Sequence, residues 1–512
     1  MLRVGTTVIY PWLLLRSSHL TLMGLGLGLL AFYQGHALPL VLFGLLLFAG
    51  LALLRPDLAL LAVPCTAPLF LIPAAITGVR SRPILLPLHE VALLVVAGVI
   101  VLRWLAPRVW RPPASQRAEA ARPAARPVAR QYRVVRHIPE ALLVVAGGLG
   151  IVLAVPEARG AALREFRWLI VEPLIFYALL RGALRTWAPD YARQVLVAFI
   201  LGGALVASVG LLQFAGLDLV RLFGDKQAPT TSILEDEGLR RVTSVYGSPN
   251  NLGLYLGRVW PMAAAAAGAL WIGAPSGARR GRPGAWLFAA GALLCLAAIV
   301  VTFSRGAWLA AGVALVVLVL PAIWRRGRRM MLGVVMVGAV LVLVAALALS
   351  LRGGLGGSNA RMRTILWHEA ILLIQRHPLG IGLDQFYYYH NPTYGRSLLT
   401  PEQQAQVEPY AAHPHNLILD AWLRLGPLGV VAFVALFARF IRSALTAIRT
   451  SRDPSARYLA LGALAALAAT VVHGLVDNFY FVPDLAFAFW LLLALVEYYR
   501  CAGARSGSFS AA

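Results

Sequence analysis

Ala411 to Gly429 reads AAHPHNLILDAWLRLGPLG, and it marks the border between two kinds of sequence. Upstream, back to Ser358, the chain stays out of any long apolar run for roughly 60 residues, far beyond an ordinary helix connection. Downstream it returns to apolar helix. The polar stretch carries Arg361, Arg363, His377, His390, Arg396, His413 and His415. Elsewhere the chain is apolar helix with short, arginine-rich connections. Polar chemistry gathered in one long loop of such a chain points to a substrate met there.

The 512 residues are 59% hydrophobic and 13% charged, with a mean hydropathy of +0.73. A soluble chain of that length could not bury so much apolar surface, whereas a bilayer removes the need to. The formal charge is +24, and Lys226 is the one lysine. Most arginines sit between hydrophobic runs, so basic loops on one membrane face explain the charge better than nucleic acid does. Cys65, Cys295 and Cys501 have neither paired nor metal-like spacing, so no disulfide framework or zinc site is expected. The N-terminal apolar run follows Arg3 and Arg16 without a clear cleavage site and reads as a retained anchor.

Runs long enough to span appear near 17–34, 37–54, 58–78, 86–105, 138–155, 167–185 and 191–216. Further runs lie near 251–273, 285–304, 306–324, 330–350, 427–444, 457–476 and 484–500. The expectation is an all-α, polytopic membrane protein of about 14 transmembrane helices, within a range of about 12–14. Nine arginines lie between Arg103 and Arg136, around a Pro/Ala-rich linker near 106–137. Placing these and the basic connections at 278–282, 325–329 and 439–457 in the cytoplasm puts both termini inside. The chain then divides into an N-terminal bundle (1–216) and a C-terminal catalytic region (217–512), with extracytoplasmic loops at 217–250 and 351–426. Gly24, Gly26 and Gly28 lie inside a span and read as helix packing, since no strand precedes them. Glu235, Asp236 and Glu237 read as a solvated loop, and no metal or cofactor is expected.

Arginines outside the cytoplasmic set are the informative ones. Arg305 in SRGAW sits between two apolar helices, where mid-membrane burial costs ~3 kcal/mol. It is expected at the outer end of that pair, facing a cavity or snorkelling to the interface. Arg363 opens an amphipathic helix with Trp367 and Ile371 on the same face, and Arg361 points elsewhere. Arg241 precedes YGSPNNLG, in which Asn250 or Asn251 caps a helix, and Arg258 lies two turns into that helix. Converging guanidinium groups suit a diphosphate, whose oxygens accept forked hydrogen bonds. His415 stands at a helix start, where the positive end of the helix disfavours the imidazolium and leaves a ring able to accept a proton. The bland alternative is an interfacial histidine with one structural hydrogen bond. His413 is the lesser neighbour, His377 a helix-end residue, and Asp420 with Arg424 a structural i, i+4 pair. His473 and Asp477, four apart, either orient His415 or the acceptor or merely cap a helix.

Taken together these residues resemble the O-antigen ligase and polymerase family of membrane glycosyltransferases. The resemblance rests on His415 and Asn416, nine residues, then Gly426 and Gly429, similar to an H-[NSQ]-x9-G-x-x-G pattern. SRGAW around Arg305, Arg363 with Trp367, HPLGIGLDQF (377–386) and YGSPNNLG (246–253) support it. The resemblance implies a polyprenyl-diphosphate (undecaprenyl-diphosphate) glycan donor and a glycan or lipid acceptor at the outer face of the bacterial inner membrane. It implies His415 as base and Arg305 and Arg363 as diphosphate ligands, with Arg241 or Arg258 as a third. Asn416 joins His473 and Asp477 as a candidate for orienting the base or acceptor. The expected chemistry is direct, inverting transfer without a metal; a lipid-glycan flippase or an envelope scaffold are the rival readings.

Overall fold

The computed structural model describes residues 2–4, 7–9, 18–35, 38–76, 84–109, 137–187, 190–217, 219–220, 234–236, 239–272, 283–326 and 358–505. The expected 330–350 run and most of the 106–137 linker lie outside them. The regular structure of the described chain is helical apart from three antiparallel hairpins, Leu2–Val4 with Thr7–Ile9, Ala74–Ile76 with Ile84–Leu86, and Leu234–Asp236 with Leu239–Arg241. The helices of the first half are α1 (Ser18–Gln34), α2 (Leu38–Leu54), α3 (Pro56–Leu60), α4 (Ala62–Thr66), α5 (Leu88–Val109), α6 (Ile138–Leu153), α7 (Arg159–Phe166), α8 (Glu172–Thr186) and α9 (Tyr191–Phe214). Those of the second half are α10 (Pro249–Ile272), α11 (Pro283–Val301), α12 (Arg305–Arg326), α13 (Ser358–Arg376), α14 (Phe386–His390), α15 (Pro401–Gln404), α16 (Leu417–Thr450), α17 (Pro454–Gly474) and α18 (Pro483–Arg505).

Among the described residues five helices are long and apolar enough to cross a membrane: the segments Leu88–Leu105, Tyr191–Phe214, Gly284–Val301, Leu417–Thr450 and Pro454–Gly474. Shorter apolar helices run at Leu38–Leu54, Pro56–Leu69, Ile138–Leu153 and Arg305–Pro321. The expected span at 58–78 does not form one helix. It breaks into α3, α4, a 3-10 turn and a strand, because Pro64, Pro68 and Pro73 remove backbone donors and bar a continuous ladder. The expected span at 167–185 opens with a π-helical turn, Arg167–Val171, before α8.

Acidic groups are buried within the apolar helices, where burial of a lone charge is costly. Glu90, Glu140, Glu172, Asp484 and Glu497 are all buried. Arg439, expected in a cytoplasmic connection, instead reaches Glu140 at 2.9 Å and Glu497 at 3.3 Å inside the bundle. Arg167 pairs with Glu90 at 2.6 Å. Arg167 and Arg439 supply countercharge to the carboxylates they reach; an unpaired buried charge would cost several kcal/mol.

Helix α16 explains why HPLGIGLDQF sits where it does. The helix breaks at Gly426 (φ 64°, ψ −169°), and Pro427 follows with no N–H to donate. The freed Leu423 carbonyl accepts from Ile381 N (2.7 Å) and Gly382 N (3.1 Å). Trp422 Nε1 donates to the Pro378 carbonyl at 3.0 Å. Contact is so close that a Cβ on Gly380 would lie 2.8 Å from the Leu423 oxygen. Residues 378–382 therefore plug the broken helix. They tie the 358–411 segment, which has its own small core around Leu366, Ala370, Leu373 and Phe386, to the bundle.

Candidate active site

His415 lies two residues before α16. Its backbone is left-handed (φ 53°), a conformation rare for a residue with a side chain, although histidine is among those enriched there. The turn is held from three sides. The His415 N–H donates to His413 Nδ1 (3.3 Å), and Trp367 Nε1 on α13 donates to the His415 carbonyl (3.2 Å). Asn416 caps α16, accepting from Ile418 N (3.0 Å) and Leu419 N (3.2 Å). The asparagine amide donates in turn to the Leu475 carbonyl at 3.0 Å. Both ends of Asn416 are thus spent on backbone, which makes it the anchor of the turn rather than a group that orients the histidine ring.

The ring partner is Asp477. His415 Nδ1 lies 3.1 Å from Asp477 Oδ1, and Arg363 donates to Asp477 Oδ2 at 3.4 Å. The carboxylate is 2% exposed while His415 keeps 24% and Arg363 25% of their side-chain surface. One buried anion thus sits behind two partly exposed cationic or basic groups, whose outer faces stay open. Asp477 lies beyond the end of α17, and of the two roles open to it, orienting His415 or capping the helix, its contact with the His415 ring fits the first. Its turn is rigid. Asn478 N donates back to Asp477 Oδ1 (2.8 Å), and Asn478 Oδ1 accepts from Tyr480 N (3.0 Å) and Phe481 N (2.9 Å).

Burial alone would raise the Asp477 carboxyl. His415, His413 and Arg363 overcome it and hold the group well below the usual carboxylate range. Burial, then the neighbouring His415, Arg424 and Arg363, hold His413 well below the ordinary histidine value against the opposing pull of Asp477. The two rings are 4.2 Å apart between centroids. Sequence spacing, which makes His413 the lesser neighbour, does not reveal that tilted ring contact.

The remaining candidates separate into two groups. Arg305 is exposed at the first turn of α12. Gly306 beside it packs on His473 so tightly that a Cβ would lie 2.7 Å from its Cδ2. Arg241 Nε donates to the Thr302 carbonyl at 3.1 Å, docking the Leu239–Arg241 strand on the turn that precedes Arg305. Arg305, Arg241, Arg363 and His415 therefore belong to one end of the bundle. Arg258 does not share that surface. It is 1% exposed, and its two terminal nitrogens donate to the carbonyls of Leu254 and Phe479. A diphosphate cannot reach it; its effect is to clamp the turn that carries Asp477. His473 is likewise buried, against Gly253 and Gly306. Asn250 and Asn251 fall inside the first turn of α10, where Ser248 accepts from Leu252 N, so neither asparagine is the cap. Asp420 and Arg424 pair at 2.7 Å as expected. The sequence did not reveal that Glu165 of α7 and the Ala412 carbonyl also hold Arg424 beneath the histidine turn.

Residues 290–434 match the family model described as O-Antigen ligase. The matched segment takes in Arg305, Arg363, the plug at 378–382, and His415 through Gly429. It agrees with the resemblance read from those motifs. Arg241, Arg258, His473 and Asp477 lie outside the O-antigen ligase match and are joined to it by the contacts above. No curated protein matches the chain.

Proposed function

We propose that the chain is a glycosyltransferase of O-antigen ligase or polymerase type. In this reading it moves a glycan from a polyprenyl-diphosphate carrier to an acceptor hydroxyl at the extracytoplasmic face of the inner membrane. The observation that carries it is the shared Asp477. One buried carboxylate holds both the proposed base, His415, and the proposed diphosphate ligand, Arg363. That geometry sets base and cation side by side, where an attacking hydroxyl and a departing diphosphate would meet.

In the proposed step a ring nitrogen of His415 takes the proton of the acceptor hydroxyl while its oxygen bonds to the anomeric carbon. The bond from that carbon to the diphosphate oxygen breaks, and the polyprenyl diphosphate leaves with the electron pair. Attack opposite the leaving group inverts the sugar. Arg363 and the exposed Arg305 offset the charge gathering on the diphosphate. Asp477 fixes the ring and steadies the imidazolium, as a buried carboxylate does for a histidine base. Because the donor arrives activated, the step as written needs no metal.

The test is transfer by purified protein from a lipid-linked donor. His415→Ala should lower kcat by about 100- to 10,000-fold, the range for removing a positioned base. Arg305→Ala should chiefly raise the donor KM. Full activity of His415→Ala would remove the base from the mechanism.

A further inference from the structure

The sequence argued against a metal, yet folding assembles a group of ligands that spacing did not reveal. One nitrogen from each of His413 and His415 and one oxygen of Asp477 lie within 4.8 Å of one another. The two histidines flank Pro414, and the aspartate comes from the rigid turn beyond α17. We propose that His413, His415 and Asp477 form a binding site for a late first-row divalent metal ion, Zn2+ the best fit, and that the bound ion inhibits transfer.

The donor set makes the choice. Two imidazoles and one carboxylate suit Zn2+, whereas Mg2+ and Ca2+ seek all-oxygen shells. Bonds of about 2.0–2.2 Å place tetrahedral ligands roughly 3.4 Å apart, so ligand atoms within 4.8 Å of one another need close by at most about 1.4 Å. Three protein ligands leave a fourth position for water or a phosphate oxygen. Arg363 can remain on Asp477 Oδ2 while the ion takes the Oδ1 side. Inhibition follows from the proposed mechanism, on which this half of the inference rests. A metal on the His415 ring occupies or re-orients the lone pair that would accept the hydroxyl proton and draws Asp477 away from its role behind the base.

The test uses the full chain, purified in lipid nanodiscs, stripped with chelator and titrated with Zn2+ against a chromogenic competitor. The wild type should bind one equivalent that excess Mg2+ does not displace. His413→Ala and Asp477→Asn, each checked for a monodisperse fold, should each weaken binding at least about ten-fold, the smaller loss known for disturbing even a metal's outer shell. His368→Ala, on the exposed face of α13, should leave binding unchanged. Transfer should fall as the equivalent is filled and return with EDTA. Absence of the bound equivalent, or binding indifferent to both substitutions, overturns the site. Stoichiometric binding that leaves transfer unchanged, or raises it, overturns the inhibition. Because Zn2+ binding is read without substrate, it stands or falls separately from the glycosyl-transfer assignment.

Discussion

Asp477→Asn isolates what the buried carboxylate contributes at nearly constant volume. Oδ1 accepts from both Asn478 N and, through Nδ1–H, His415, whereas Oδ2 faces Arg363. An amide can reproduce only one of these acceptors. Turned with its NH2 towards Asn478 and His415, it meets two donors. Turned the other way it keeps them and sets its NH2 against Arg363. The second arrangement wins, so the ring keeps its tautomer but loses the negative charge that steadies its protonated form, and Arg363 loses its anchor. A hydrogen bond involving a charged group is worth about 1.5–3 kcal/mol, which at 1.36 kcal/mol per decade predicts about a 10- to 150-fold fall in kcat. That is smaller than the loss expected for His415→Ala. The donor KM should rise at the same time as Arg363 loosens. Initial rates at varied donor concentration, with thermal unfolding as a control, separate the two effects. An unchanged kcat in a stably folded variant would refute the role given to Asp477.

Three further outcomes follow from the same contacts. Burial would lower the His390 pKa, but its 2.6 Å contact with Glu369 and the Glu408 carbonyl raise it above the ordinary value. The folded group thus holds its proton more tightly than the unfolded one. Its stabilisation of the 358–411 segment is full below about pH 6.5 and lost as pH rises through the folded value. Protection of amides across residues 386–411, corrected for the intrinsic base-catalysed exchange rate, should fall over that window in the wild type, and His390→Gln should abolish that fall. Gly426→Ala puts a side chain in a left-handed position against the Leu379 carbonyl and should destabilise by at least about 1–2 kcal/mol, read as a lowered unfolding midpoint. Arg258→Gln strands the Leu254 or Phe479 carbonyl, worth about 1–3 kcal/mol for an unsatisfied buried group. It should lower stability and kcat while leaving the donor KM near wild type; a large selective rise in KM would restore a direct diphosphate contact.

What could be read from the residues alone was whatever depends on neighbours in sequence. Apolar runs marked most helices because backbone groups in an apolar setting must pair locally. Proline blurred the 58–78 run for the same local reason that it broke it. The amphipathic helix through Arg363, the helix start after His415 and the Asp420–Arg424 pair are all local patterns, and all are present. The partnerships that give the site its chemistry are long-range. Asp477 meets His415 across 62 positions and Arg363 across 114. Spacing left open whether Asp477 orients His415 or caps a helix with His473, since it cannot see that α17 ends at Gly474 and that the turn beyond carries Asp477 to the His415 ring. Nor could it tell Arg258, buried against backbone carbonyls, from Arg305 at the surface, because both lie at helical positions in apolar sequence. Burial and the identity of a charge's partner are decided by which helices pack together, and only the tertiary structure supplies that.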